Sequence, residues 1–98
     1  MAGNEANPYW QPHSFTWDEN KRRINIYKHG IDFVDAVEVF RDSANYTYRS
    51  KHPPGEIRYV TVGRLRQFVI AVISTPRVDS LRIISARLAR RSERKRYG

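Results

Sequence analysis

The spacing of apolar residues changes once along this chain, near Asn45, and that change limits the folds open to it. Before Asn45 the apolar positions recur at helical spacing, and after it they alternate or run together as in strands. The clearest helical pattern follows Asp32, where Phe33, Ala36, Val37 and Phe40 obey i, i+3, i+4, i+7. Asp35 lies near the positive end of that helix, and Ile31 before the cap can pack on Ala36 as a staple. Upstream, Ser14–Trp17 reads as a short strand and Asp18–His29 as a first helix. Thr16 with Glu19 fits a capping box, and Asp18 is the alternative N-cap. Trp17, Ile24, Tyr27 and Ile31 fall roughly on one side, which predicts the buried face. Lys28 and His29 followed by Gly30 make a helix stop.

Beyond Asn45 the period is two. Tyr46–Arg49 reads as a strand, and Ser50–Gly55, with His52-Pro-Pro-Gly55, as a turn. Ile57–Gly63 is rich in β-branched residues, and Arg64–Arg66 is a short hairpin connection. Gln67–Thr75 is apolar on both faces, as expected of a central strand. Thr75–Asp79 turns the chain into a last strand, Leu81–Ala86. Connections this short predict an antiparallel meander. Helices first and a sheet afterwards give an α+β fold, with two N-terminal helices on the sheet and a basic helix at the C-terminal end.

The 98 residues suit one domain, assigned to residues 14–98. Met1–His13 lacks the apolar core of a signal peptide and reads as a flexible extension carrying Trp10. No apolar run approaches a membrane span. The absence of cysteine excludes disulfides, thiolate nucleophiles and cysteine metal ligands, and it fits a cytoplasmic setting. Eighteen Lys and Arg against ten Asp and Glu leave a net charge of +8, which favours nucleic acid or an acidic protein as partner.

Three blocks together resemble the BrnT family, the toxin half of a bacterial type II toxin–antitoxin pair. They are Phe15-Thr-Trp-Asp-Glu-Asn-Lys21 continuing to Asn25-Ile-Tyr-Lys-His-Gly30, then Phe33-Val-Asp-Ala-Val-Glu-Val-Phe40, then Arg82-Ile-Ile-Ser-Ala-Arg87 with Glu93-Arg-Lys-Arg-Tyr97. The resemblance spans Phe15 to Tyr97. It implies a RelE-like fold and an endoribonuclease that arrests translation. It also implies neutralisation by a BrnA-like antitoxin, which carries the DNA binding, and a toxin dimer within a heterotetramer. Two features depart from the family pattern. The extension through His13 is longer, and Arg90 stands where the family commonly has a capping Thr three residues before the last helix's glutamate. Losing such a cap costs about 1 kcal/mol, which predicts a frayed last helix.

Metal-independent RNA cleavage uses the ribose 2′-hydroxyl as nucleophile. The protein then has to move two protons and stabilise negative charge on the phosphorane. Arginine suits the last task, because its fork binds phosphate oxygens and stays charged. Arg82 and Arg87, flanking the apolar centre of the last strand, are the leading phosphate clamps. Each has a plain alternative: Arg87 paired with a helix carboxylate such as Glu38, and Arg82 solvated. Glu56 and Arg58 share a strand face by alternation, as a binding pair or an ordinary ion pair. Arg64 and Arg66 belong to the hairpin loop, where cations meet backbone phosphate or only water. Arg87, Arg90, Arg91 and Arg94 form a stripe suited to RNA phosphates or to an antitoxin. His29, Glu56 and Tyr97 are the candidate proton movers, although His29 also fits a helix C-terminus and Tyr97 a core anchor. No carboxylate or histidine cluster has metal-ligand spacing and no Gly-rich phosphate loop occurs, so no cofactor is expected. Three functions fit: a ribonuclease toxin, a non-catalytic RNA- or DNA-binding module, and an interaction protein for an acidic partner.

Overall fold

The computed structural model describes residues 14–51 and 55–98. The extension before Ser14 and the Pro-Pro part of the expected turn lie outside them. Strand β1 is Phe15–Thr16, helix α1 is Glu19–His29, and helix α2 is Phe33–Ala36 running into a 3-10 turn, Val37–Arg41. Strands β2 (Tyr46–Arg49), β3 (Tyr59–Leu65), β4 (Phe68–Pro76) and β5 (Leu81–Leu88) follow, and helix α3 is Arg91–Tyr97.

The sheet order is β1-β5-β4-β3-β2. Strands β2 to β5 form the expected antiparallel meander, with β4 at the centre. The sheet as a whole is mixed, because β1 lies parallel to β5 through Phe15–Leu81 and Thr16–Arg82. That corrects the all-antiparallel expectation. No short hairpin links β1 to β5, so nothing in the connection forces them antiparallel.

Caps set the first two helices. The Asp18 side chain accepts from the Lys21 amide, so Asp18 is the N-cap rather than Thr16. Gly30, at φ 71°, ends α1 in the left-handed conformation that glycine adopts without strain. The Asp32 carboxylate caps α2 and is gripped by Arg22 through contacts of 2.8 and 3.0 Å. Phe33, Ala36 and Val39 are buried against Leu65, Ile70, Val72, Ile83 and Ala86, with Ile31 in the same cluster as Ala36. The 3-10 turn approaches β3 at Gly63, where a Cβ would stand 2.7 Å from Val39 Cγ1.

The predicted inner face holds at its flanks, where Ile31 is buried and Trp17 packs on the core, but not within α1. Ile24 is 52% exposed and Tyr27 91%, whereas Asn25 is the buried residue of this helix. The cause is the edge of β5. β1 pairs only with Leu81 and Arg82, so on the edge of β5 away from β4 the backbone near Ala86 has no strand beside it. Asn25 supplies that partner: Oδ1 accepts from the Ala86 amide at 3.1 Å, and Nδ2 donates to the Ala86 carbonyl at 2.9 Å. Nδ2 also donates to the Ile31 carbonyl at 2.8 Å, which fixes the α1–α2 corner. A buried polar demand at the sheet edge thus overrides apolar periodicity.

Helix α3 departs from the frayed segment predicted from Arg90. It lies on the sheet face opposite α1 and α2, over a second cluster of Val60, Val62, Ala71 and Ala89 flanked by Tyr46, Tyr48 and Tyr97. Its far end is tied down by Tyr97, whose hydroxyl donates to Asp42 at 2.5 Å.

Replacing Asn25 by Leu leaves buried backbone groups of Ala86 and Ile31 without partners. The expected loss of stability is roughly 3 kcal/mol or more. Chemical denaturation of both proteins checks this, and a midpoint equal to wild type contradicts it.

Candidate phosphate-binding cleft

Arg82 and Arg87 are five positions apart, so plain alternation would send them to opposite faces of the sheet. They share a face because β5 is irregular. Ile73 pairs with Ser85 but its neighbour Ser74 pairs with Ile83, leaving Ile84 as an extra residue. Arg82 therefore opposes Thr75 and Arg87 opposes Ala71, two β4 residues on one face.

That face carries a cleft of about 580 Å³. Arg49, Lys51, Arg58, Arg87 and Arg90 line it, with Ser50, Ser85 and Tyr48 beside them and Val60, Ile73 and Ile84 as apolar floor. The cations come from three regions: the end of β2 and its loop, the approach to β3, and the β5–α3 junction. Among the described residues no carboxylate pairs with Arg49, Lys51 or Arg90.

Arg87 is held differently. Its Nη1 and Nη2 donate to the two oxygens of Glu93 at 2.8 and 3.0 Å. This pair replaces the Glu38 partner considered from the sequence. Both guanidinium ends are used on the carboxylate, so the Nε edge is the part of the fork left over. Glu93 is 5% exposed and accepts further hydrogen bonds from the Arg90 amide at 2.7 Å and from the Tyr48 hydroxyl. The Arg90 side chain provides no cap, so Glu93 supplies one half of a capping box from within α3. Tyr46 completes the junction by donating to the Glu93 carbonyl at 2.9 Å.

Burial pushes the Glu93 carboxyl up, but Arg87, the Arg90 amide and Tyr48 outweigh it and hold the pKa at about 2. Burial, then the hydrogen bond to Glu93, raises the Tyr48 hydroxyl above its ordinary value. At neutral pH the cleft presents cations and protonated hydroxyls.

The remaining predicted site residues are dispersed. Arg82 lies on the same face but outside the cleft lining. Glu56 precedes β3 rather than lying on a strand, and it pairs with Arg58 at 3.1 Å and Arg77 at 3.6 Å. Arg58, then Arg77, holds the Glu56 carboxyl below its usual range. Tyr97 is at the far end of α3, and its bond to Asp42, together with burial, raises its pKa. Arg64 stands 5.9 Å from the Tyr97 ring on β3, and Arg66 turns the hairpin 3.9 Å from Asp35. The expected four-arginine helical stripe does not exist, because Arg87 belongs to β5. Arg91 is exposed on α3, and Arg94 donates to the Ala89 carbonyl at 2.8 Å. His29 ends α1 and lines a separate groove that meets the cleft at Ile84 and Ser85. Among the described residues no group of three His, Cys, Asp or Glu side chains could hold a metal ion, and no helix is long and apolar enough to cross a membrane.

Sequence reasoning missed Arg49, Lys51, Tyr48 and the role of Glu93. The β2 register, Tyr48 opposite Val60, was the signal for Tyr48. Glu93 has the capping-box spacing from Arg90, and its carboxylate supplies the half of the box that the sequence does show.

Residues 17–93 match the family model described as the ribonuclease toxin, BrnT, of type II toxin–antitoxin systems. No curated protein matches the chain.

The folded pKa of Glu93 lies below the ordinary carboxylate value, so the unfolded state binds the extra proton. Its stabilisation is full above about pH 5 and lost as pH falls toward 2, a difference of roughly 3 kcal/mol. Glu93→Gln should flatten this acid limb in urea titrations at successive pH values. An unchanged limb in the variant contradicts the assignment.

Proposed function

We propose, from the premise that the chain belongs to the BrnT family of type II toxin–antitoxin ribonuclease toxins, that it is a metal-independent endoribonuclease acting from the Arg87 cleft. The observation that carries this reading is the convergence of Arg49, Lys51, Arg58, Arg87 and Arg90 on one partly apolar cleft. Such a cleft attracts a polyanion, and its low-polarity floor strengthens each contact.

In this reading a base takes the proton of the ribose 2′-hydroxyl as its oxygen attacks the adjacent phosphorus, the P–O5′ bond breaks with the 5′ oxygen taking a proton from the conjugate acid or from water, and a 2′,3′-cyclic phosphate remains. Arg87, oriented by Glu93, and Arg58 receive the charge that builds on the phosphorane oxygens. Arg49, Lys51 and Arg90 hold the neighbouring backbone. Tyr48 stays protonated, and because its one hydroxyl proton is given to Glu93 it orients that carboxylate rather than acting as a base. His29, across Ser85 from the cleft, is the candidate for proton transfer. Glu56 and Tyr97 are less suited, since Arg58 and Asp42 respectively already engage them.

The wider biology belongs to the same proposal. The chain adopts a RelE-like toxin fold, acts in the cytoplasm, and inhibits translation by cutting RNA. A family of type II toxins implies a protein antitoxin, and we assign it to the BrnA-like class. DNA is reached only through that antitoxin, in an assembly that contains a toxin dimer.

Purified protein should cut labelled RNA in the presence of EDTA and stop when antitoxin is added. Arg58→Ala and Lys51→Ala, which leave Glu93 undisturbed, should each lower the rate at least tenfold. Arg87→Ala should lower it by roughly 100-fold, the scale of losing one preorganised charge contact. Tight, salt-sensitive binding without cleavage would favour the non-catalytic module instead.

A further inference from the structure

The cleft does not end at Ser85. Beyond it, between α1 and the edge of β5, lies a groove of about 290 Å³ that shares Ile84 and Ser85 with the cleft. Lys21, Lys28 and His29 line it, and Ile24 is its apolar wall on α1. Lys21, Ile24, Asn25 and Lys28 stand at i, i+3, i+4 and i+7, a single helical stripe. Asn25 is the middle of that stripe and is fixed to Ala86 on β5, so the stripe faces the strand edge. Lys21 and Lys28 therefore bracket the groove about 10 Å apart along the helix axis. Among the described residues neither lysine has a carboxylate partner.

The junction is built by the same irregularity that aligned Arg82 with Arg87. The extra residue Ile84 lies on the wall of both hollows. The Ser85 hydroxyl beside it donates to Asn25 Oδ1 at 3.3 Å, which ties the junction to α1. A chain leaving the cleft over β5 thus meets an apolar surface and then two cations. This order suits a nucleotide: a base against Ile24 and Ile84, with phosphates beside Lys21 and Lys28.

We infer that this groove is a second RNA subsite, binding a nucleotide next beyond the two that the scissile phosphate joins. The inference rests on the reading of the cleft as the RNA site. It goes beyond that reading in giving the substrate a direction, from the sheet face across the β5 edge and along α1.

The test uses the full chain and non-cleavable 2′-O-methyl RNA in two sizes, a dinucleotide and an oligomer of about eight nucleotides. The variants are the double substitution Lys21→Ala/Lys28→Ala, at the solvent-exposed rim of the groove, and Lys51→Ala/Arg58→Ala in the cleft. The α1 variant should bind the oligomer about tenfold more weakly, with a salt slope smaller by about 0.7 per lost phosphate contact. Its affinity for the dinucleotide should equal wild type. The cleft variant should lose affinity for both sizes. Unchanged oligomer binding by the α1 variant overturns the subsite while leaving the cleft intact. Equal losses at both sizes also overturn it, because they report diffuse charge rather than a flanking site. If the α1 variant keeps its RNA affinity and loses antitoxin binding, the groove is a protein interface and the inference fails. If the cleft variant binds both sizes normally, the underlying reading fails instead.

Discussion

The buried pair between Arg87 and Glu93 determines where the C-terminal helix sits, and with it the shape of the cleft. Helix α3 has seven residues, too few to persist on its own. Its order must come from packing and from partners for its polar groups. Glu93 gathers Arg87 from β5, Tyr48 from β2 and the Arg90 amide at the helix start. One carboxylate therefore joins an edge strand, the opposite side of the sheet and the last helix. A buried pair of this kind contributes little net stability compared with apolar residues of equal size. Removing one member is a different matter, because the other charge is then stranded. The arrangement specifies a docking geometry more than it deepens the folding well.

Strand β5 links this hub to the rest of the fold. One face of it, through Ile83 and Ala86, belongs to the core under α1 and α2. The other face carries Arg82 and Arg87, aligned only because Ile84 interrupts the pairing with β4. Its edge is half covered by β1 and half by a single asparagine side chain. The order of the elements follows: α1 must lie where Asn25 can reach Ala86, and the cleft must open where α3 does not cover the sheet. The catalytic proposal and the core are consequences of the same strand.

Much of this was legible in the residues. The caps at Asp18 and Asp32, the stop at Gly30, the Phe33 face and the β2–β5 meander all follow from local chemistry. Arg87 was recognisable as a cation at the end of an apolar strand. The features that were not legible share one character: each depends on a neighbour distant in sequence. The inner face of α1 was misjudged because apolar spacing does not register an unpaired strand edge 61 residues away. The last helix was expected to fray because its cap residue is Arg90, while the hydroxyls that hold Glu93 come from β2, 45 and 47 residues earlier. The hydroxyl of Tyr97, a candidate proton mover, is engaged by Asp42, 55 residues away. Arg49 and Lys51 were passed over because a strand end and a turn look alike whether or not a cleft lies beside them.

The carboxylates complete the electrostatic logic. Glu19 and Asp32 are engaged by Arg22, Glu38 by Arg41, Asp35 by Arg66, Glu56 by Arg58 and Arg77, and Glu93 by Arg87. Asp42 is turned to backbone amides and Tyr97. The acids therefore stabilise local structure, and the surplus of +8 is left on cations such as Arg49, Lys51 and Arg90 around the cleft. Repulsion among cations gathered this closely costs folding energy, which a bound polyanion or an acidic protein surface would relieve. A toxin built in this way is under the same electrostatic constraint from its substrate and its antitoxin. On the proposed reading of the cleft, an antitoxin would act by covering these cations or matching them with negative charge, since among the described residues no carboxylate pairs with Arg49, Lys51 or Arg90.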